Sequence, residues 1–180
     1  MMHTEVRLAD AEGREVAVGE VGEMLFRGPH VCLGYWNNPE ATAAALDTEG
    51  FFHSGDLARR DAEGFFYVAG REKDMIISGG VNVYPAEIEA ELLLHPGVAD
   101  AAVVGVPETT WGEVGIAFVV PVAGGELDVA DLTAHLEARL ARYKLPKGFR
   151  FLTELPRTAY GKVVKGELRA RFLAESETAP

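Results

Sequence analysis

The sequence predicts an α+β protein of two unequal parts, and three observations carry that expectation. Up to about residue 70 the apolar residues fall in short alternating runs cut by Gly- and Asp-rich turns, a strand-and-turn pattern. From residue 84 onward the order helix, strand, strand, helix, strand, helix emerges, which suits a compact α+β domain of about a hundred residues. Between the two lies Gly70 to Glu89, where a charged cluster, an apolar pair, a glycine doublet and a proline-started helix follow one another.

The elements follow in order. Glu5-Val6-Arg7-Leu8 and Arg14-Glu15-Val16 flank the turn Asp10-Ala11-Glu12-Gly13 as a hairpin-like pair. Glu23 to Arg27 alternates and stops at Gly28-Pro29. Asn38 caps and Pro39 starts an alanine-rich helix over Glu40 to Leu46. A second turn, Asp61-Ala62-Glu63-Gly64, leads into a strand at Phe65 to Val68. Pro85 opens a helix with Ile88, Leu92 and His95 on one face, closed by Pro96-Gly97. Val98 to Val106 and Val114 to Val120 are β-branched runs of strand type. Val129, Leu132, Leu136 and Leu140 mark an amphipathic helix that stops before Pro146. Phe149 to Leu155 predicts a short strand and Val164 to Leu173 a terminal helix. The expected organisation is a β-rich part over 1–73, an α+β domain over 74–174 and a tail at 175–180.

Composition excludes several classes. The hydrophobic share is 48 % and the charged share 25 %, ordinary for a globular protein. With 17 basic and 28 acidic residues the formal charge is −11, which argues against nucleic-acid binding while leaving room for a nucleotide held by a few local cations. Cys32 is the sole cysteine, so no disulfide framework is expected, and the thiol is read as buried or half-buried. The histidines His3, His30, His53, His95 and His135 lack ligand spacing, so no metal site is expected. No apolar run approaches the ~20 residues of a membrane helix. No signal peptide is visible, and the last residues are not the Ser-Lys-Leu peroxisomal address, so a cytoplasmic protein is expected.

Four segments can carry chemistry. Gly22-Glu23-Met24-Leu25-Phe26-Arg27-Gly28-Pro29 with Gly34-Tyr35-Trp36-Asn37-Asn38-Pro39-Glu40-Ala41-Thr42 reads as strand, turn and capped helix. His53-Ser54-Gly55-Asp56-Leu57, taken by itself, is a Gly-Asp turn with a solvated carboxylate. Gly70 to Glu89 is the third. Leu155-Pro156-Arg157-Thr158-Ala159-Tyr160-Gly161-Lys162-Val163-Val164-Lys165, by itself, is a polar turn with a surface lysine before a helix. In this order the four segments resemble the adenylate-forming enzymes: acyl-CoA synthetases, adenylation domains of peptide synthetases, and luciferases.

That resemblance implies roles residue by residue. Asp56 matches the aspartate that accepts hydrogen bonds from the ribose hydroxyls of ATP, a task suited to two acceptor oxygens. Arg71 looks like the arginine that reaches the ribose and phosphate region with its fork of donors. Asp74 matches the hinge about which a small C-terminal domain rotates. Gly79-Gly80 resembles the bend lining the pantetheine tunnel of CoA ligases, where a missing Cβ permits close approach; as a bare pair it is a hairpin turn. Trp111 would lie near the thioester-forming face and stack on the CoA adenine, or is simply a half-buried tryptophan. Lys162 matches the mobile catalytic lysine that bridges the attacking carboxylate and the α-phosphate. Lys165 reads as an ordinary first-turn lysine. Tyr160 departs from the small residue common before the glycine.

The resemblance implies the C-terminal portion of an ATP-dependent acid–CoA ligase: ATP with Mg2+ and CoA as partners of a carboxylic acid, through an acyl-adenylate. The phosphate-binding loop, the acyl pocket and the segment contacting adenine and magnesium have no counterpart here, so the chain is expected to be a fragment, inactive by itself. An adenylation domain loading a carrier protein is the neighbouring alternative. A non-catalytic interaction module, with exposed surface driving homodimers, is the alternative of another class.

Overall fold

The computed structural model describes residues 3–125 and 127–177. Packing divides the chain into two compact units that meet in sequence between Lys73 and Asp74. Among the described residues, no helix is long and apolar enough to cross a membrane.

The first unit is a four-stranded antiparallel sheet in the order β1 (Glu5–Ala9), β2 (Val21–Arg27), β3 (Phe52–Arg60), β4 (Phe66–Arg71), with one helix, α1 (Pro39–Ala45). Its small core is Ala9, Leu25 and Phe51. The guanidinium groups of Arg7 and Arg27 lie 4.2 and 4.4 Å from the centroid of the Phe51 ring, so their stems and charges close the core from outside. At α1 the Asn38 side chain accepts from the Ala41 amide, the cap that the sequence predicts.

The connections reuse one device. Asp10, Asp47 and Asp61 each accept, through Oδ1, the amides two and four residues ahead at 2.8–3.0 Å, and a glycine at positive φ follows at Gly13, Gly50 and Gly64. All three stretches read Asp-x-Glu-Gly. The first does not bring Arg14-Glu15-Val16 back as a full strand: that segment makes one bridge, Ala9↔Glu15, and the ladder partner of β1 is β2. Cys32 is exposed, contrary to the expectation of a buried thiol. It lies between β2 and α1, in a stretch where no residue is buried and Leu33 is fully exposed.

The second unit is α+β. Its strands are β5 (Ile76–Ser78), β6 (Val81–Val83), β7 (Val98–Glu108), β8 (Gly112–Pro121) and β9 (Gly148–Phe151); its helices are α2 (Pro85–Leu93), α3 (Val129–Glu137) and α4 (Lys165–Glu177). The sheet runs β6-β5-β8-β7, and β9 adds to β8 in parallel from Ile116↔Gly148 to Val119↔Phe151. Side chains of β7 and β8 alternate between two buried faces. Ala101, Val103, Ala117 and Val119 pack with Ile88 and Leu92 of α2 and Leu132 and Leu136 of α3. Ala102, Val104, Ile116 and Phe118 pack with Leu155 and with Leu168 of α4. Burial on both faces explains why these strands read as continuous apolar runs.

Several element ends differ from expectation. His95 lies beyond α2 and is buried, with Nδ1 accepting from the Gly97 amide at 3.1 Å and Nε2 facing Asp131 at 3.0 Å. Leu140 packs on the core from outside α3. β9 stops at Phe151, not Leu155: its ladder with β8 ends at Val119↔Phe151, followed by one bond from the Leu152 amide to the Val119 carbonyl. The helix α4 continues through Glu177, and the remainder of the expected tail, 178–180, lies outside the described residues.

Candidate functional site

The segment around Asp56 is not a turn. It is the middle of β3, where long-range pairing overrides the poor strand propensity of Ser-Gly-Asp. Gly55 sits at φ +68° and its amide donates to Glu23 Oε1 at 2.9 Å, while Glu23 Oε2 is 2.8 Å from His53 Nδ1. Ser54 Oγ donates to the Met24 carbonyl at 2.7 Å and accepts from the Asp56 amide at 3.0 Å. Asp56 and Arg71 face each other across the β3–β4 ladder, with Arg71 Nε 2.7 Å from Asp56 Oδ1 and Arg71 Nη1 donating to the Ser54 carbonyl at 2.9 Å. An ion pair this exposed contributes ~0–1 kcal/mol. Its consequence is orientation: the carboxylate keeps Oδ2 for a further donor. Glu23 and Ser54 were not singled out from sequence, since nothing local links Glu23 to a glycine 32 positions away.

Asp74 ends a 3-10 turn over Glu72–Asp74 and opens the second unit. Beyond it, Gly79-Gly80 forms the two-residue turn of the β5–β6 hairpin, both glycines at positive φ (+59° and +79°). The hairpin tip sits on Trp111: the Gly79 amide donates to the Trp111 carbonyl at 2.8 Å, and a Cβ on Gly79 would come within 2.8 Å of the indole ring. Trp111 is 50 % exposed, and Ile77 and Val81 beside the turn are exposed as well. Glu108 holds the loop. Its carboxylate accepts from the Trp111 amide at 2.8 Å and the Thr110 amide at 2.9 Å, and those bonds, the Trp111 amide foremost, lower its pKa from the ordinary value. Sequence reading names Gly79, Gly80 and Trp111 separately, and the fold brings all three together.

The two glycines should respond differently to substitution. Gly80→Ala meets open space and pays only the left-handed backbone cost, ~1–2 kcal/mol. Gly79→Ala carries the same backbone cost plus the collision with the indole, so its loss of stability should be the larger. Chemical denaturation of both variants, alone and combined with Trp111→Ala, checks this. The excess cost at Gly79 should vanish when the indole is gone.

Lys162 lies on a tight turn between β9 and α4. Arg157 and Val163 form a bridge, the Thr158 amide donates to the Lys162 carbonyl at 2.8 Å, and the Gly161 amide closes onto the Thr158 carbonyl at 2.9 Å. Gly161 takes φ +81°, which the tightness of the turn requires. Among the described residues the Lys162 ammonium has no ion pair, whereas Lys144 is bonded to Glu87 and Lys165 to Glu89. Tyr160, the departure noted in the sequence, is 94 % exposed, so it perturbs no packing within this turn.

A family model described as the AMP-binding enzyme C-terminal domain matches residues 87–162, ending on Lys162 itself. The chain is 54 % identical over 169 residues to a feruloyl-CoA synthase from Amycolatopsis sp, covering 94 % of this chain and 34 % of that protein. The chain is similar to the C-terminal third of acyl-CoA ligases. An indoleacetate–CoA ligase from Aromatoleum aromaticum is 50 % identical over 93 % of the chain and 32 % of the relative. Among solved structures, o-succinylbenzoate CoA synthetase from Bacillus subtilis, in complex with its acyl-adenylate intermediate, superposes with a TM-score of 0.88 at 38 % identity over 94 % of this chain and 34 % of that one. An amide bond synthetase from Marinactinospora thermotolerans gives 0.90 at 36 % identity over 95 % and 35 %. The chain therefore spans about a third of the length of the curated relatives it matches. Among its described residues, no group of three or more His, Cys, Asp or Glu side chains is placed to hold a metal ion.

Proposed function

We propose that this chain is the C-terminal part of an ATP-dependent acid–CoA ligase, in which Lys162 serves the first of two half-reactions. The observation that carries the reading is an ammonium without an ion pair among the described residues, on a hydrogen-bonded turn at the end of a match to the AMP-binding enzyme C-terminal domain. In the first half-reaction a carboxylate oxygen attacks the α-phosphorus of ATP, forming the acyl-adenylate and releasing pyrophosphate. Two anions must approach, and a point cation between them offsets their repulsion. Asp56, oriented by Arg71, would accept from the ribose hydroxyls through its remaining oxygen. In the second half-reaction the CoA sulfur attacks the acyl carbon and AMP leaves. The exposed surface of Gly79, Gly80 and Trp111 is suited to a thin pantetheine arm and an adenine ring. Asp74, where the two units join in sequence, is the proposed hinge between the half-reactions. The described residues offer no cluster of acidic or imidazole side chains for Mg2+. Consumption of ATP and CoA suits a cytoplasmic setting. Homodimers of the isolated chain would form through exposed residues such as Leu33 and Trp36.

An alternative acceptor is favoured by one observation: the amide bond synthetase shares this fold as closely as the CoA synthetase does, so the fold does not choose the nucleophile. The names of the curated relatives favour CoA over an amine or a carrier protein. The complete protein that contains this chain, given ATP and a panel of aromatic, short-chain and long-chain acids, should release pyrophosphate only when an acid is present. Added CoA should then yield AMP and a thioester. Pyrophosphate release followed by no transfer to CoA would point to the other acceptors, and release independent of every acid would overturn the ligase reading.

A further inference from the structure

The turn carrying Lys162 is pinned on both sides to the same strand. Before the lysine, one guanidinium does two things: Arg157 Nη1 donates to the Gly161 carbonyl and Nη2 to Asp100 Oδ2, each at 2.5 Å. The carbonyl immediately preceding Lys162 is thereby tied to Asp100 of β7, a task for which the planar fork of arginine is suited and a lysine is not. After the lysine, Lys165 Nζ lies 2.8 Å from Glu89 Oε1, and that same oxygen accepts from the Val103 amide of β7 at 2.7 Å. The Lys165 and Glu89 side chains are only 23 % and 18 % exposed, so this pair is shielded from water more than a surface pair is. Between the pins, the Lys162 amide donates to Thr158 Oγ1 at 3.2 Å and its carbonyl accepts from the Thr158 amide. The backbone on each side of Lys162 is engaged, while among the described residues its ammonium has no ion pair.

We propose that Arg157 and Lys165, acting through Asp100 and Glu89, are positioning residues that hold the Lys162 turn against β7. The ammonium then reaches the reacting anions already oriented. The proposal rests on Lys162 being the adenylation lysine. It assigns work to Lys165, which by sequence is an ordinary first-turn lysine. A displacement of about 1 Å at a reacting group costs on the order of a hundredfold in rate, so loss of either pin should register in the chemistry.

Two measurements separate the brace from the chemistry. In the 180-residue chain, amide hydrogen exchange at Lys162 should rise about tenfold in Arg157→Gln and in Asp100→Asn, while the amides of Val103 and Phe118 keep their protection. In the complete protein, Arg157→Gln and Lys165→Met should lower kcat for acid-dependent pyrophosphate release about ten- to a hundredfold. The KM for ATP and the rate of thioester formation from supplied acyl-adenylate should stay unchanged. Arg157→Lys, which keeps the charge and loses the fork, should fall between. Unchanged exchange at Lys162 overturns the brace, and equal losses in both half-reactions overturn the positioning role. Increased exchange combined with a Lys162→Ala variant that still forms adenylate would support the brace and remove the reading of Lys162.

Discussion

Lys162→Ala in the complete protein should slow acyl-adenylate formation about a thousandfold while leaving thioester formation from preformed acyl-adenylate nearly untouched. The magnitude follows from Coulomb's law: at ~4 Å and an effective dielectric near 20, one cation–anion contact is worth roughly 4 kcal/mol, or about three decades of rate. Selectivity is the more telling part. A lysine needed only to fold its domain would, when removed, depress both half-reactions together. Lys162 is exposed and, among the described residues, without an ion pair, so its loss takes no packing with it. Rapid-quench measurement of pyrophosphate, alongside a thioester assay started from synthetic acyl-adenylate, distinguishes the outcomes. Equal loss in both would sink the assignment.

Phe118→Ala should destabilise the second unit by about 3–5 kcal/mol, the cost of an aromatic side chain removed from a packed core. Phe118 is fully buried in the middle of β8, where it joins Leu155 and Leu168 on the face that receives α4. Such a loss is a large fraction of the ~5–15 kcal/mol total stability of a domain. Urea unfolding followed by far-UV circular dichroism should show the midpoint fall at constant slope. A change under 1 kcal/mol would mean that the face collapses around the gap, and that the seating of α4 does not depend on it.

Elements with local punctuation were legible in the sequence. Asn38 and Pro39 announce α1, Pro85 announces α2, and the β-branched runs mark β7 and β8, which extend only slightly beyond the expected bounds. Elements fixed by distant partners were not. His53 to Asp56 looks like a turn because its own residues are poor strand formers, yet β2 and β4 pair with it on both sides. β9 is set by its pairing with β8, from Ile116↔Gly148 to Val119↔Phe151, which no property of residues 149–155 reveals. The same division holds at the site. Motifs name Asp56, Arg71, Gly79, Trp111 and Lys162, because each motif is contiguous. The groups that aim them are Glu23, Glu108, Asp100 and Glu89. Most of these come from other strands or helices, and they register in sequence only as acidic residues among 28.

Two of the Asp-x-Glu-Gly turns of the first unit, those at Asp10 and Asp61, contribute acid sensitivity. The Asp10 carboxyl is held below its ordinary pKa chiefly by the Arg14 amide. At Asp61 partial desolvation pushes upward but is outweighed by bonds from the Phe65 amide and the Tyr67 hydroxyl, and the net shift is also downward. A carboxyl whose pKa is depressed by folding contributes stability above its unfolded pKa, near 3.8 for both groups, and surrenders it as the pH falls through the lower folded value. Protonation weakens the acceptor that the amides of each turn share. The connections at Asp10 and Asp61 therefore add an acid-sensitive contribution to the four-stranded sheet.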